Sequence, residues 1–179
     1  MKTCVAYGFA LTLAGALLSL SLFFLGFHSD ADKVGTAQII SSVALFGITT
    51  IAIVLGIKAR RAEVPGTEDF GYGRALGAGV TIGLFAALFN IVTNYFYLRI
   101  INPGFCDILV QAQIYKWEAA GMTAERIEQA EETMRKMLHP AIQGAFAFVG
   151  GLFFSTIISL IAAAWLKRPA AQEPLIGSG

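Results

Sequence analysis

The sequence predicts an all-α membrane protein: four transmembrane helices, with an extracytoplasmic amphipathic helical hairpin between helices three and four. Hydrophobic residues make up 56% of the chain and charged residues 14%, against roughly 25% charged in soluble domains. Four segments contain no Asp, Glu, Lys or Arg, and each has the length of about 20 residues that crosses a bilayer; they cover residues 5–27, 37–57, 75–98 and 140–165. The whole chain, 1–179, is therefore expected to form a single transmembrane domain.

The four segments are expected to be helices rather than strands. The hydrocarbon core offers no water to the backbone, so each spanning segment must satisfy its own N–H and C=O groups. The first segment follows Lys2 and resembles a signal peptide in that respect. Its apolar part exceeds the usual 7–15 residues of a signal peptide, which favours a retained helix.

The basic residues predict the orientation. Lys and Arg near the ends of spans favour the cytoplasm. Both termini and the loop between spans two and three lie on one side if there are four spans, and they carry most of these residues: Lys2, Lys58, Arg60, Arg61, Arg74, Lys167 and Arg168. We therefore expect a multi-pass protein with cytoplasmic N- and C-termini and an outer hairpin over residues 105–139.

The two cysteines fall on opposite sides of the membrane in this arrangement. Cys4 lies at the inner end of span one and Cys106 at the outer end of span three, so a disulfide within one chain is excluded by distance. Cys106 either stays unpaired as a small apolar residue, the favoured interpretation, or pairs with its copy in a dimer.

Glycines recur at the start of helix three, where Gly73/Gly77 and Gly79/Gly83 each have the four-residue spacing that lets two membrane helices approach closely. No strand precedes the first of them, so the pattern does not indicate a dinucleotide site. We expect helix packing at Gly73, Gly77, Gly79, Gly83, Gly144, Gly150 and Gly151.

A polar face is predicted on the third helix. Asn90, Thr93, Asn94 and Tyr97 follow the spacing i, i+3, i+4, i+7, which places them on one side of a helix. Carboxamides facing lipid are costly, so this face should point into the bundle or toward a partner chain. The favoured interpretation is interhelical hydrogen bonding, and the alternative is a polar pocket or substrate path.

The residues after span three predict a turn and two short helices. Asn102, Pro103 and Gly104 fit a tight turn with Pro in its second position and Gly in its third. Trp117 lies on the apolar face of the first short helix. Pro140 either begins span four, as Pro does in a first helical turn, or kinks one continuous helix.

Several short patterns carry a resemblance to a known family. FGYGRA precedes span three, Asn94 and Tyr97 lie within it, IINPGF follows it, and MLHP precedes span four. With these motifs the chain resembles the small bacterial inner-membrane proteins of domain of unknown function family 4199, over about residues 3–168. The resemblance implies a four-span fold with the insert between spans three and four. It implies no activity, cofactor or catalytic residue.

The expected function is therefore non-catalytic. The sequence shows no zinc motif, phosphate loop or intramembrane acid, so no catalytic residue, cofactor or metal site is predicted. We expect an interaction protein or accessory subunit of a larger membrane assembly, with membrane lipids and a homo-oligomer or larger complex as partners. The alternative is a small oligomeric transporter or channel-like protein with a polar path near Asn90 and Asn94. A net charge of +1 gives no reason to expect nucleic-acid binding, and the tail from Ala170 is expected to be disordered.

Overall fold

The computed structural model describes residues 1–170, so the predicted disordered tail lies, apart from Ala170, outside the described residues. Within them the chain is helical, with six α-helices and one π-helical segment. The helices are α1 (Lys2–Phe24), α2 (Ala31–Ala62), α3 (Tyr72–Phe96), α4 (Phe105–Ala119), α5 (Ala124–Met137) and α6 (Pro140–Leu166), and the π-helical segment Tyr97–Ile101 continues α3.

The prediction of four membrane-length helices is confirmed. The helices α1, α2, α6 and α3 with its π-helical extension are long and apolar enough to cross a membrane. The second helix is longer than the predicted 37–57, with 32 residues. Its start is fixed by Asp30, whose side chain accepts a hydrogen bond from the Asp32 N–H at 3.0 Å.

Helix α3 lies at the centre of the bundle, where it packs against α1, α2 and α6. Its most extensive contact is with α6, where two glycines of α3 leave room for two serines of α6. A Cβ atom added at Gly79 would lie 2.7 Å from Ser159 Cβ, and one added at Gly83 would lie 2.5 Å from Ser155 Cβ. Such close packing of small residues holds membrane helices together without a hydrophobic driving force.

The other predicted packing glycines make no close contact with another described helix of this chain. Gly73, Gly77, Gly150 and Gly151 have no heavy atom within 4 Å of an added Cβ among the described residues. Gly144 is buried, but its added Cβ would meet only Ile91, at 4.0 Å. Of the predicted set, therefore, Gly79 and Gly83 form the tight contact inside this chain.

One end of the bundle, the basic end, brings together the start of α1, the α2–α3 loop and the end of α6. The Arg61 guanidinium donates to the Leu166 carbonyl at 3.3 Å. Phe70 and Arg168 exchange two backbone hydrogen bonds, of 2.9 and 2.8 Å. Phe70 is 1% exposed and belongs to the main apolar core. Both its main chain and its side chain therefore hold the α2–α3 loop against the bundle.

Helices α4 and α5 lie at the opposite end. Helix α4 packs against α2 and α5, and Gly121, with a φ of 76°, ends it in a left-handed turn. Helix α5 has no buried residue, and its Arg135 guanidinium donates to Asp107 on α4 at 2.7 Å. Pro140 is the first residue of α6, so the chain breaks between α5 and α6 rather than running on as one kinked helix.

Candidate functional site

A cavity of about 490 Å³ lies between α1, α2, α3 and α6. Its walls are mainly apolar, with uncharged polar groups from five residues: Thr12, Ser42, Thr49, Asn90 and Ser155. The lining side chains Phe46 of α2 and Phe154 of α6 are 63% and 62% exposed. The cavity therefore reaches the surface of the bundle between these two helices.

A second cavity, of about 310 Å³, continues toward the α4–α5 end. All four residues of the predicted polar face line it: Asn90, Thr93, Asn94 and Tyr97. Gly15, Leu45 and Asn90 line both cavities. The structure thus brings the polar face of α3 onto one wall of an interhelical space made of two adjacent cavities, both lined by Asn90.

Several hydroxyl groups on these walls, including those of Thr12, Ser42 and Ser155, donate to nearby carbonyls. Thr12 donates to the Gly8 or the Ala86 carbonyl, each at 3.1 Å, and Ser155 donates to the Leu152 carbonyl at 3.0 Å. Hydroxyl groups in helices commonly bond to the preceding turn in this way.

The carboxamides of Asn90 and Asn94 have no such hydrogen-bond partners in the part of the chain that the structure describes. The structure records no hydrogen bond from either carboxamide to another of the described residues. The interhelical hydrogen bonds favoured by the sequence pattern are therefore not made within this chain. The two groups face the cavity instead, with donors and acceptors free.

A buried cluster around His28 adjoins the second cavity through Tyr97, which lines that cavity. The Tyr97 hydroxyl lies 2.5 Å from His28 Nδ1, and the Asn102 carboxamide donates to the His28 carbonyl at 3.0 Å. The imidazole also lies against the Phe105 ring, with centroids 4.7 Å apart. Burial lowers the pKa of His28 below its usual range, which favours the neutral imidazole, the form whose Nδ1 is able to accept a hydrogen bond from the Tyr97 hydroxyl.

The π-helical segment positions two members of this cluster. The Asn102 N–H donates to the Tyr97 carbonyl at 2.8 Å, five residues back, which is the π-helical pattern. The Phe105 N–H then donates to the Asn102 carbonyl at 3.1 Å, forming the turn predicted at Asn102, Pro103 and Gly104. Gly104 has a φ of −82° and a ψ of −2°, typical of the third position of a type I turn.

Sequence reasoning missed His28, because 69 residues separate it from Tyr97 and no local spacing links the two. Trp117, His139 and the two cysteines lie apart from the cavities, whereas Gly83 and Gly151 line the first of them. Trp117 is half-buried on α4, and His139 caps α6, its Nδ1 accepting from the Ala141 N–H at 3.4 Å. Cys4 and Cys106 are free thiols.

The site offers neutral hydrogen-bonding groups in an apolar surrounding. Within residues 1–170, no group of three or more His, Cys, Asp and Glu side chains is placed to hold a metal ion. Every residue that lines the two cavities is uncharged. The chemistry available there is therefore the binding of apolar surface and of uncharged polar groups.

Comparison with family models gives a match to the family described as protein of unknown function (DUF4199), over residues 6–168. The chain belongs to this family. The matched region includes α3, α6 and all residues that line the two cavities of this DUF4199 protein. Comparison with curated proteins and with solved structures gives no match. The family and the four apolar helices together describe a small multi-span membrane protein.

Proposed function

We propose that this DUF4199 protein is a non-catalytic integral membrane protein that associates with another membrane chain, as an interaction protein or accessory subunit. The observation that carries the proposal is an open glycine face on α3. Gly73 and Gly77 are exposed and have no packing neighbour among the described residues. In contrast, serines of α6 pack against Gly79 and Gly83. A second copy or another helix is the partner that such a face accommodates.

The surroundings of this face are suited to a helix contact. The Thr81 hydroxyl donates to the Gly77 carbonyl at 2.7 Å, so this hydroxyl is paired within its own helix. Leu84 and Leu88 continue the same side of α3 and are exposed. Small residues followed by leucines allow close backbone approach at one end and side-chain packing at the other.

We further propose that the protein lies in a bacterial inner membrane with both termini in the cytoplasm. Support comes from the basic end, where Arg61, Arg168 and the α2–α3 loop meet, because short basic loops favour the cytoplasm. Helices α4 and α5 would then form the extracytoplasmic hairpin.

We expect a reporter enzyme that is active only in the cytoplasm to be active when fused behind Ala170. The same reporter placed in the α4–α5 turn, at Gly121, should be inactive. The opposite pattern would contradict the proposed orientation.

A second candidate function, an oligomeric transporter or channel, is favoured by the polar wall of Asn90, Thr93 and Asn94. A path through one chain meets an obstacle at the basic end. There Ile57 and Ala163 are 0% exposed and pack with Phe70 in the core. Transport would therefore require a path between chains, which again makes association the primary property.

The association proposal predicts the effect of enlarging the open glycines. Replacing Gly73 and Gly77 by leucine together should weaken the assembly at least about tenfold, equivalent to about 1.4 kcal/mol, because the side chains hold the partner helix away. The measurement is native mass spectrometry of the protein purified gently with its own lipids.

The matched control replaces Gly35 and Gly47 of α2, which also have nothing within 4 Å of an added Cβ, by leucine. This control should keep the wild-type assembly. A wild-type protein that is monomeric in its own lipids would contradict the proposal, as would an assembly unaffected by the Gly73 and Gly77 change.

A further inference from the structure

We propose that the interhelical space is a binding site for one amphipathic molecule drawn from the membrane: a long apolar chain that carries an uncharged hydrogen-bonding group such as a hydroxyl. This site is separate from the glycine face of α3 and does not depend on association with another chain. Three features of the space support this assignment: its opening, its lining and its free carboxamides.

The opening faces the bilayer. The first cavity reaches the bundle surface between α2 and α6, where Phe46 and Phe154 are exposed. Both residues lie well inside helices that are long and apolar enough to span a membrane. A molecule that enters here comes from the hydrocarbon region and not from water, so it must itself be mainly apolar.

The lining accommodates an apolar hydrocarbon chain but not an ionised group. The volume of about 490 Å³ falls within the roughly 300–1,000 Å³ of small-molecule sites. An ionised group would meet no countercharge, because every lining residue is uncharged, and its transfer into the membrane interior is costly. The polar group of the bound molecule is therefore uncharged.

The free carboxamides provide hydrogen-bonding partners for the polar group of the bound molecule. Asn90 lies about 24 Å along the helix from Arg74 and about 14 Å from Arg99, at 1.5 Å per residue, which puts it within the hydrocarbon depth. Asn94 lies one turn farther on the same wall. Unpaired amides are costly at that depth, so a ligand that hydrogen-bonds to them gains more than an apolar chain alone.

The experiment uses two photoreactive probes in detergent-free phosphatidylcholine nanodiscs: a long-chain primary alcohol carrying a diazirine and an alkyne, and the equally long hydrocarbon without the hydroxyl. The wild-type protein should be labelled by the alcohol on the lining segments of α2 and α6. It should prefer the alcohol over the hydrocarbon by about fivefold, the effect of one net hydrogen bond of about 1 kcal/mol.

The decisive variants each replace one of two neighbouring glycines of α6. Gly151 lines the first cavity and Gly150 does not, and neither has a heavy atom within 4 Å of an added Cβ. Gly151→Leu should reduce alcohol labelling at least about tenfold because its side chain fills the space. Gly150→Leu, the matched control, should keep wild-type labelling.

The carboxamides are tested separately, which keeps the proposal open to refutation if Gly151→Leu does not fold. Asn90→Leu with Asn94→Leu should reduce the preference for the alcohol to about one, while hydrocarbon labelling persists. Three results would overturn the proposal. These are equal labelling of the Gly150 and Gly151 variants, labels spread evenly over exposed faces of all spans, and crosslinks showing that a second copy of the chain fills the space.

Discussion

Gly83→Ala is expected to lower the stability of the purified protein by about 1–3 kcal/mol, the usual cost of overpacking. The added methyl group would lie 2.5 Å from Ser155 Cβ, and Ser155 sits on a rigid helix that cannot move aside alone. For a chain of this size, the melting temperature should fall by about 3–10 °C. The measurement is thermal unfolding in one fixed detergent, followed by circular dichroism.

The pair Gly83 and Ser155 also provides its own control. Ser155→Gly in the Gly83→Ala background should recover part of the lost stability, since it removes the atoms that clash. Gly77→Ala, on the same helix with nothing within 4 Å of its added Cβ, should leave stability unchanged or slightly raised. If Gly77→Ala and Gly83→Ala have equal effects, the close α3–α6 contact is wrong.

Phe70→Ala is expected to cost about 3–5 kcal/mol, the range for removing a buried phenylalanine. Phe70 is 1% exposed and packs in the main core, although it belongs to a loop. Its loss should also loosen the paired backbone of Phe70 and Arg168. Limited proteolysis should therefore become faster in the α2–α3 loop, in addition to a lower melting temperature.

The comparison for this change is Phe24→Ala, which removes an equally large side chain that is 80% exposed at the end of α1. That variant should unfold and be cleaved like the wild type in the same detergent. A Phe70→Ala protein that cannot be distinguished from Phe24→Ala would mean that the loop does not contribute to the core.

Hydropathy was enough to predict the four spans, because a bilayer forces long apolar segments into helices. Their bounds were less predictable. Helix α2 begins at Ala31 and runs on to Ala62, since helical hydrogen bonding does not stop where the apolar segment stops. Gly73 and Gly79 look alike in sequence, yet only Gly79 meets α6, and which side of α3 faces α6 is a property of the assembled bundle.

The candidate site was predictable only where it lies on one helix. Asn90, Thr93, Asn94 and Tyr97 share a face because of helical periodicity, and they line one cavity as a group. The extent of this cavity could not be foreseen, because its other walls come mainly from α1 and α2. The contact of His28 with Tyr97 joins a loop to the π-helical segment, and no spacing rule connects such elements.

The central place of α3 has a consequence for biosynthesis. Helix α6, which fills the groove at Gly79 and Gly83, is made last among the spans. The ribosome adds roughly 5–20 residues per second, so the first three spans remain in the membrane for seconds with this groove lined only by lipid. During that interval, any neighbouring helix with small side chains is a competitor for the groove. The risk of misassembly is therefore concentrated before the last span enters the bilayer.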